Sequence, residues 1–121
     1  MQSMEHNGQL FALADSELRI QSAQDALDLM VTAQYELGSG IILVRRENLA
    51  DAFFDLRSGL AGEILQKFSN YKTQLGIIGS VAGYTGNALH AFIRECNRGQ
   101  CVFWADTMED ALAHYAAQRR Q

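Results

Sequence analysis

Apolar residues along this 121-residue chain recur in two alternating periods, short alternating or unbroken runs and stretches with a repeat of three to four. Residues 1–8 show neither period and are expected to form a loose start. Residues 9–14 read as a first strand, and residues 17–21 as a short second one after an Asp15-Ser16 turn, with Leu18 and Ile20 on one side. Ser22, followed by Asp25, opens a helix whose buried side is expected to carry Ala26, Leu27, Met30, Val31 and Leu37, with Gly38 closing it. The unbroken run Ile41-Ile42-Leu43-Val44 predicts a strand covered on both faces, and residues 73–79 predict another. Between them, residues 47–54 are irregular or form a single turn. Thr85 is the expected cap of a helix with Leu89, Phe92, Ile93 and Cys96 inward, stopped at Asn97-Arg98-Gly99. Residues 100–105 form the last strand. Thr107 and Asp110 open a final helix that packs Met108, Ala111, Leu112 and Tyr115.

The centre of the chain, FFDLRSGLAGEILQKFSNY over residues 53–71, carries the strongest amphipathic pattern. Leu60, Ile64, Leu65, Phe68 and Tyr71 fall on one side. Glu63, Gln66, Lys67 and Asn70 fall on another, with Glu63 and Lys67 in the favourable order for an i,i+4 pair. Strands alternating with helices predict an α/β sandwich with a mixed, mostly parallel sheet of about five strands and about four helices. Residues 9–121 form one domain, without repeat, low-complexity tract or linker.

Composition narrows the function classes. Apolar residues make up 48% and charged residues 20%, which fits a single folded core rather than disorder. The net charge is −4 and the basic residues are scattered apart from Arg45-Arg46 and Arg119-Arg120, so no basic stripe offers itself to nucleic acid. The apolar runs are too short to cross a bilayer, so no membrane association is expected. Two cysteines and no signal-like start point to a reducing, cytoplasmic setting.

Candidate chemistry concentrates at Ser58. It stands beside Gly59 at a predicted helix start, where free amide groups and the helix dipole favour negative charge; Asp55 or Ser58 itself can cap that turn. A serine nucleophile needs a positioned base, and His6, His90 and His114 fall on separate segments, so the pattern leans away from an enzyme. The glycine-rich residues 79–86 have neither the dinucleotide-binding spacing nor the lysine of a P-loop. Cys96 and Cys101 lack a second pair, so no metal or other cofactor is expected, and both thiols read as core residues. Phe53 and Phe54 are adjacent, so an extended segment would expose one of them and hint at a partner surface shared with Glu63 and Lys67, whereas a turn could bury both.

Residues 25–29 (DALDL), the 53–71 segment and residues 92–99 (FIRECNRG) resemble an uncharacterised bacterial family, domain of unknown function 4180. The order of a hydrophobic strand, a loop and Ser58-Gly59-Leu60 at a helix start also resembles STAS domains, the anti-sigma factor antagonist fold. That resemblance implies a STAS-like sandwich, a regulatory protein partner and a phosphoacceptor hydroxyl at Ser58. The chain departs from the STAS pattern at Leu56, where an aspartate is usual, and at Arg57. Two functional readings follow. One is a regulatory protein-interaction module with Ser58, Gly59 and Asp55 at the contact. The other is a ligand-binding protein or enzyme using a pocket between Ser58, Ser80 and Thr85. A homodimer through an aromatic loop or a sheet edge is a third arrangement.

Overall fold

The structure, a computed structural model, describes residues 1–80, 87–99 and 101–119. Among them are five strands, β1 (Gln2–His6), β2 (Gln9–Leu13), β3 (Ile41–Arg45), β4 (Gln74–Ile78) and β5 (Val102–Ala105). Five α-helices accompany them: α1 (Ala23–Thr32), α2 (Asp51–Phe54), α3 (Leu60–Asn70), α4 (Asn87–Arg98) and α5 (Met108–Arg119). The strands form one sheet in the order β1-β2-β3-β4-β5, antiparallel between β1 and β2 and parallel from β2 onward. The chain is thus the α/β fold with a mixed, mostly parallel sheet that its pattern predicts. The helix beyond the four expected is the single-turn α2.

The start of the chain is not loose. Asn7 and Gly8 both take positive φ (53° and 77°), as a two-residue hairpin turn requires, and fold Gln2–His6 back along Gln9–Leu13 as an edge strand. The strand expected at residues 17–21 is reduced to one bridge, Ile20 with Leu49. Its backbone is diverted by the buried Asn48, whose Nδ2 donates to the carbonyls of Asp15 (2.9 Å) and Leu18 (2.8 Å). Asn48 Oδ1 accepts from the Arg45 amide (2.8 Å), so one side chain joins the end of β3 to the loop after β2.

Each parallel connection moves one strand along the sheet in the same direction, and right-handed crossovers then stack the intervening helices on one face. The larger core lies there: Ala26, Met30, Phe53, Ile64, Phe68, Leu89 and Ile93 cover Ile42, Val44, Leu75, Ile77, Val102 and Trp104. The alternate residues of the strands, Phe11, Leu43, Ile78 and Ala105, point to the other face, where Ala111 and Tyr115 of α5 cover them. Gly76 lets α5 approach. A Cβ there would stand 2.7 Å from Leu43 Cδ2 and 3.1 Å from Tyr115 Oη.

The Ser22 hydroxyl caps α1 at the Asp25 amide (3.1 Å), and the Asp25 carboxylate accepts from the Gln21 amide (2.8 Å). α1 loosens into a π turn over Ala33–Leu37 and ends at the left-handed Gly38. Its inner face carries Leu29 rather than Val31, which is 55% exposed. On α3, Ala61 joins the buried side, while Tyr71 lies just past the helix and is 64% exposed. No described helix is long and apolar enough to cross a membrane.

Candidate functional site

Ser58 sits where the sequence places it, exposed at the corner leading into α3, but its hydroxyl is committed. It donates to the Ala52 carbonyl (2.6 Å) and accepts from the Leu60 amide (3.2 Å), tying α2 to the first turn of α3. Residues 56–58 make a tight single turn capped by Asp55, whose carboxylate accepts from the Arg57 amide (3.2 Å) and meets Arg57 Nε at 3.4 Å. Gly59 then takes φ +78°, a conformation suited to glycine, and its carbonyl accepts from the Glu63 amide. Ser58, Gly59 and Asp55 are therefore one structural corner.

The aromatic surface expected at residues 53 and 54 is not a surface. In the helical turn α2, adjacent side chains diverge by about 100° and both can reach the core. Phe53 and Phe54 are buried against each other (ring centroids 5.5 Å) and against Trp104 (5.9 and 6.1 Å). Glu63 is exposed and Lys67 half-buried, and they do not form the ion pair their spacing allows. In the alternative ligand site, Ser80 is exposed and its carbonyl receives the Arg46 guanidinium. Thr85 and most of the glycine-rich segment, residues 81–86, lie outside the described residues.

The surface feature that sequence reasoning missed lies at the far end of α3. Val31, Tyr35 (86% exposed) and Tyr71 are the large apolar side chains exposed among the described residues, and all three line one groove of about 590 Å³. Leu27 and Met30 line it too, with Asp28 at its polar side, where Oδ1 accepts from Gln24 Nε2 (3.0 Å). The signal in the sequence was partial. Val31 and Tyr71 read as core by periodicity, and only the structure turns them outward beside Tyr35. An 11-residue α3 separates this groove from Ser58, about 16 Å along the axis at 1.5 Å per residue.

The two cysteines are not deep core thiols. Both are half-buried and line one open cleft of about 200 Å³, with Leu65 and Ser69 of α3 opposite. Cys101 Sγ donates to the Thr73 carbonyl (3.5 Å). Burial pushes both thiols above their ordinary value; Trp104 partly offsets this at Cys96, and nearby Cys96 adds to it at Cys101. His6, His90 and His114 lie on β1, α4 and α5. Among the described residues, no three His, Cys, Asp or Glu side chains gather as a metal site.

The fold and its surface define a small α/β sandwich with a capped corner and an aromatic-rimmed groove. The family model described as "Domain of unknown function (DUF4180)" matches residues 5–115, and the chain belongs to that family. No curated protein and no solved structure matches it.

Proposed function

We propose that this protein is a small STAS-like interaction module that acts by binding another protein at the Val31, Tyr35 and Tyr71 groove. The observation that carries this reading is the convergence on one groove of the large apolar side chains exposed among the described residues. A folded chain rarely gathers exposed apolar surface without a partner to cover it, and tyrosine is enriched where proteins meet. The π turn adds to it, because such turns recur at functional positions.

In this reading Ser58 is the phosphoacceptor that regulates the module. Its hydroxyl is exposed, and a phosphoryl group on Oγ would remove the hydrogen donated to Ala52, releasing the α2–α3 corner at the other end of the helix that leads to Tyr71. The test is affinity capture from the native cell extract with wild type, Tyr35→Ser/Tyr71→Ser and Ser58→Asp as baits. Both tyrosines are exposed, so the double variant is expected to fold normally. A protein retained by wild type and lost by the double variant supports the groove, and its loss by Ser58→Asp supports the regulatory role. Identical sets of bound proteins for wild type and the double variant overturn the groove.

A further inference from the structure

We infer that Cys96 and Cys101 form a dithiol site that closes into an internal disulfide by exchange with a low-molecular-weight disulfide such as glutathione disulfide. This goes beyond the interaction role and does not depend on it. The argument starts from the chain path. Cys96 lies in the last turn of α4, and Cys101 directly precedes β5. The two are five positions apart, and at the end of α4 the chain turns, with the Gly99 amide donating to the Cys96 carbonyl (3.1 Å).

That turn is held in place by Asn97. Its Oδ1 accepts from the Trp104 amide (2.8 Å), and its Nδ2 donates to the Trp104 carbonyl (3.4 Å). On the other side, the Cys101 carbonyl accepts from the Leu75 amide (2.8 Å), and its thiol donates to Thr73. The end of α4 and the start of β5 are thus both anchored to the sheet, and Cys96 and Cys101 line the same cleft. That cleft is open to solvent, so a small disulfide can reach it. Glu95 also lines it, with its carboxylate held by Arg98 (3.2 Å).

The exchange proceeds in two steps. One cysteine loses its proton, and its sulfur attacks the reagent disulfide; that S–S bond breaks, and one reduced thiol leaves. The second cysteine, likewise deprotonated, attacks the protein sulfur of the mixed disulfide and expels the second thiol. Two protons and two electrons leave the cysteines, and the reagent is reduced to two thiols.

The experiment is intact mass and peptide mapping of the full-length protein after incubation with glutathione disulfide, alongside Cys96→Ser and Cys101→Ser. Wild type is expected to lose the mass of two hydrogens and yield a Cys96–Cys101 cross-linked peptide. Each single variant is expected to keep one glutathione as a stable mixed disulfide. Wild type carrying two glutathiones would show that the thiols act separately. Cross-linking between molecules, or no reaction in the folded protein when the unfolded chain reacts, would equally overturn the inference. If one variant fails to fold, the wild-type mass and map alone decide it.

Discussion

Replacing Ser58 by alanine removes two hydrogen bonds at once, and the structure fixes what each was holding. Oγ donates to the Ala52 carbonyl at 2.6 Å and accepts from the Leu60 amide at 3.2 Å, so the hydroxyl joins α2 to α3. A hydrogen bond contributes about 0.5–1.5 kcal/mol net, but Ser58 is exposed and water can take over both backbone groups after substitution. The combined loss is then about 1 kcal/mol, the ordinary worth of a helix-start hydroxyl. For a domain of this size that lowers Tm by about 3–5 °C. Ser58→Asp separates the two bonds. Its carboxylate can still accept from Leu60 and gains about 0.3–1 kcal/mol from the helix start. It cannot donate to Ala52, and it sets an anion against that carbonyl oxygen. The aspartate variant is therefore expected to be less stable than wild type, with Ser58→Thr, which keeps both donor and acceptor, as the control. Thermal and urea denaturation of the four proteins measures this directly. Wild-type stability in Ser58→Ala, or stability at or above wild type in Ser58→Asp, would refute the corner as described and leave the hydroxyl free for other work.

Gly76→Ala is expected to cost about 1–3 kcal/mol, because the new methyl meets Leu43 Cδ2 at 2.7 Å and Tyr115 Oη at 3.1 Å inside a filled core; an unchanged denaturation midpoint would mean that α5 shifts freely. His114 stacks on Phe103 (ring centroids 3.6 Å, interplanar angle 3°), and burial pulls its pKa below the ordinary 6.5. The unfolded chain then binds the proton more tightly than the folded one, so this group's contribution to stability is present above about pH 6.5 and fades as pH falls through the lower folded value. An NMR titration placing His114 at its ordinary value would remove that contribution, and one placing it above would reverse its sign. Burial raises the pKa of both cysteines, so alkylation of the folded protein at neutral pH is expected to be slower than that of the unfolded chain and to accelerate as pH rises; equal rates in both states would show that neither thiol is shielded.

The strands covered on both faces were readable because nothing but β3 and β4 fits runs such as Ile41-Ile42-Leu43-Val44. Short-range caps were readable too, since Ser22 and Thr107 need only the amides of Asp25 and Asp110 three residues on. Misreadings arose where a distant group decides the outcome. β1 is a polar edge strand that has a partner on one side only, so it carries no apolar period; its signal was the Asn7-Gly8 turn. Residues 17–21 alternate like a strand, yet Asn48, some 30 positions later, binds the carbonyls of Leu18 and of Asp15 just before them and holds the segment as a turn. Tyr71 continues the spacing of α3 only on paper, because the backbone leaves the helix there (φ −97°, ψ 8°). The groove was therefore invisible to periodicity. Two of its three exposed residues, Val31 and Tyr71, fall at spacings that read as buried.

The unbroken strand order from β1 to β5 also bears on how the molecule assembles. Every strand lies beside the one that precedes it in the chain, so the sheet can grow outward from the β1–β2 hairpin as the polypeptide lengthens, with no strand waiting for a distant partner. Only α5 departs from that order: it returns over the opposite face, where Tyr115 meets Phe11 (ring centroids 5.6 Å) and stands over Gly76. The last helix made thus closes over residues laid down near the beginning, and a chain interrupted before residue 108 would have a complete sheet with Phe11, Leu43 and Ile78 bare to water.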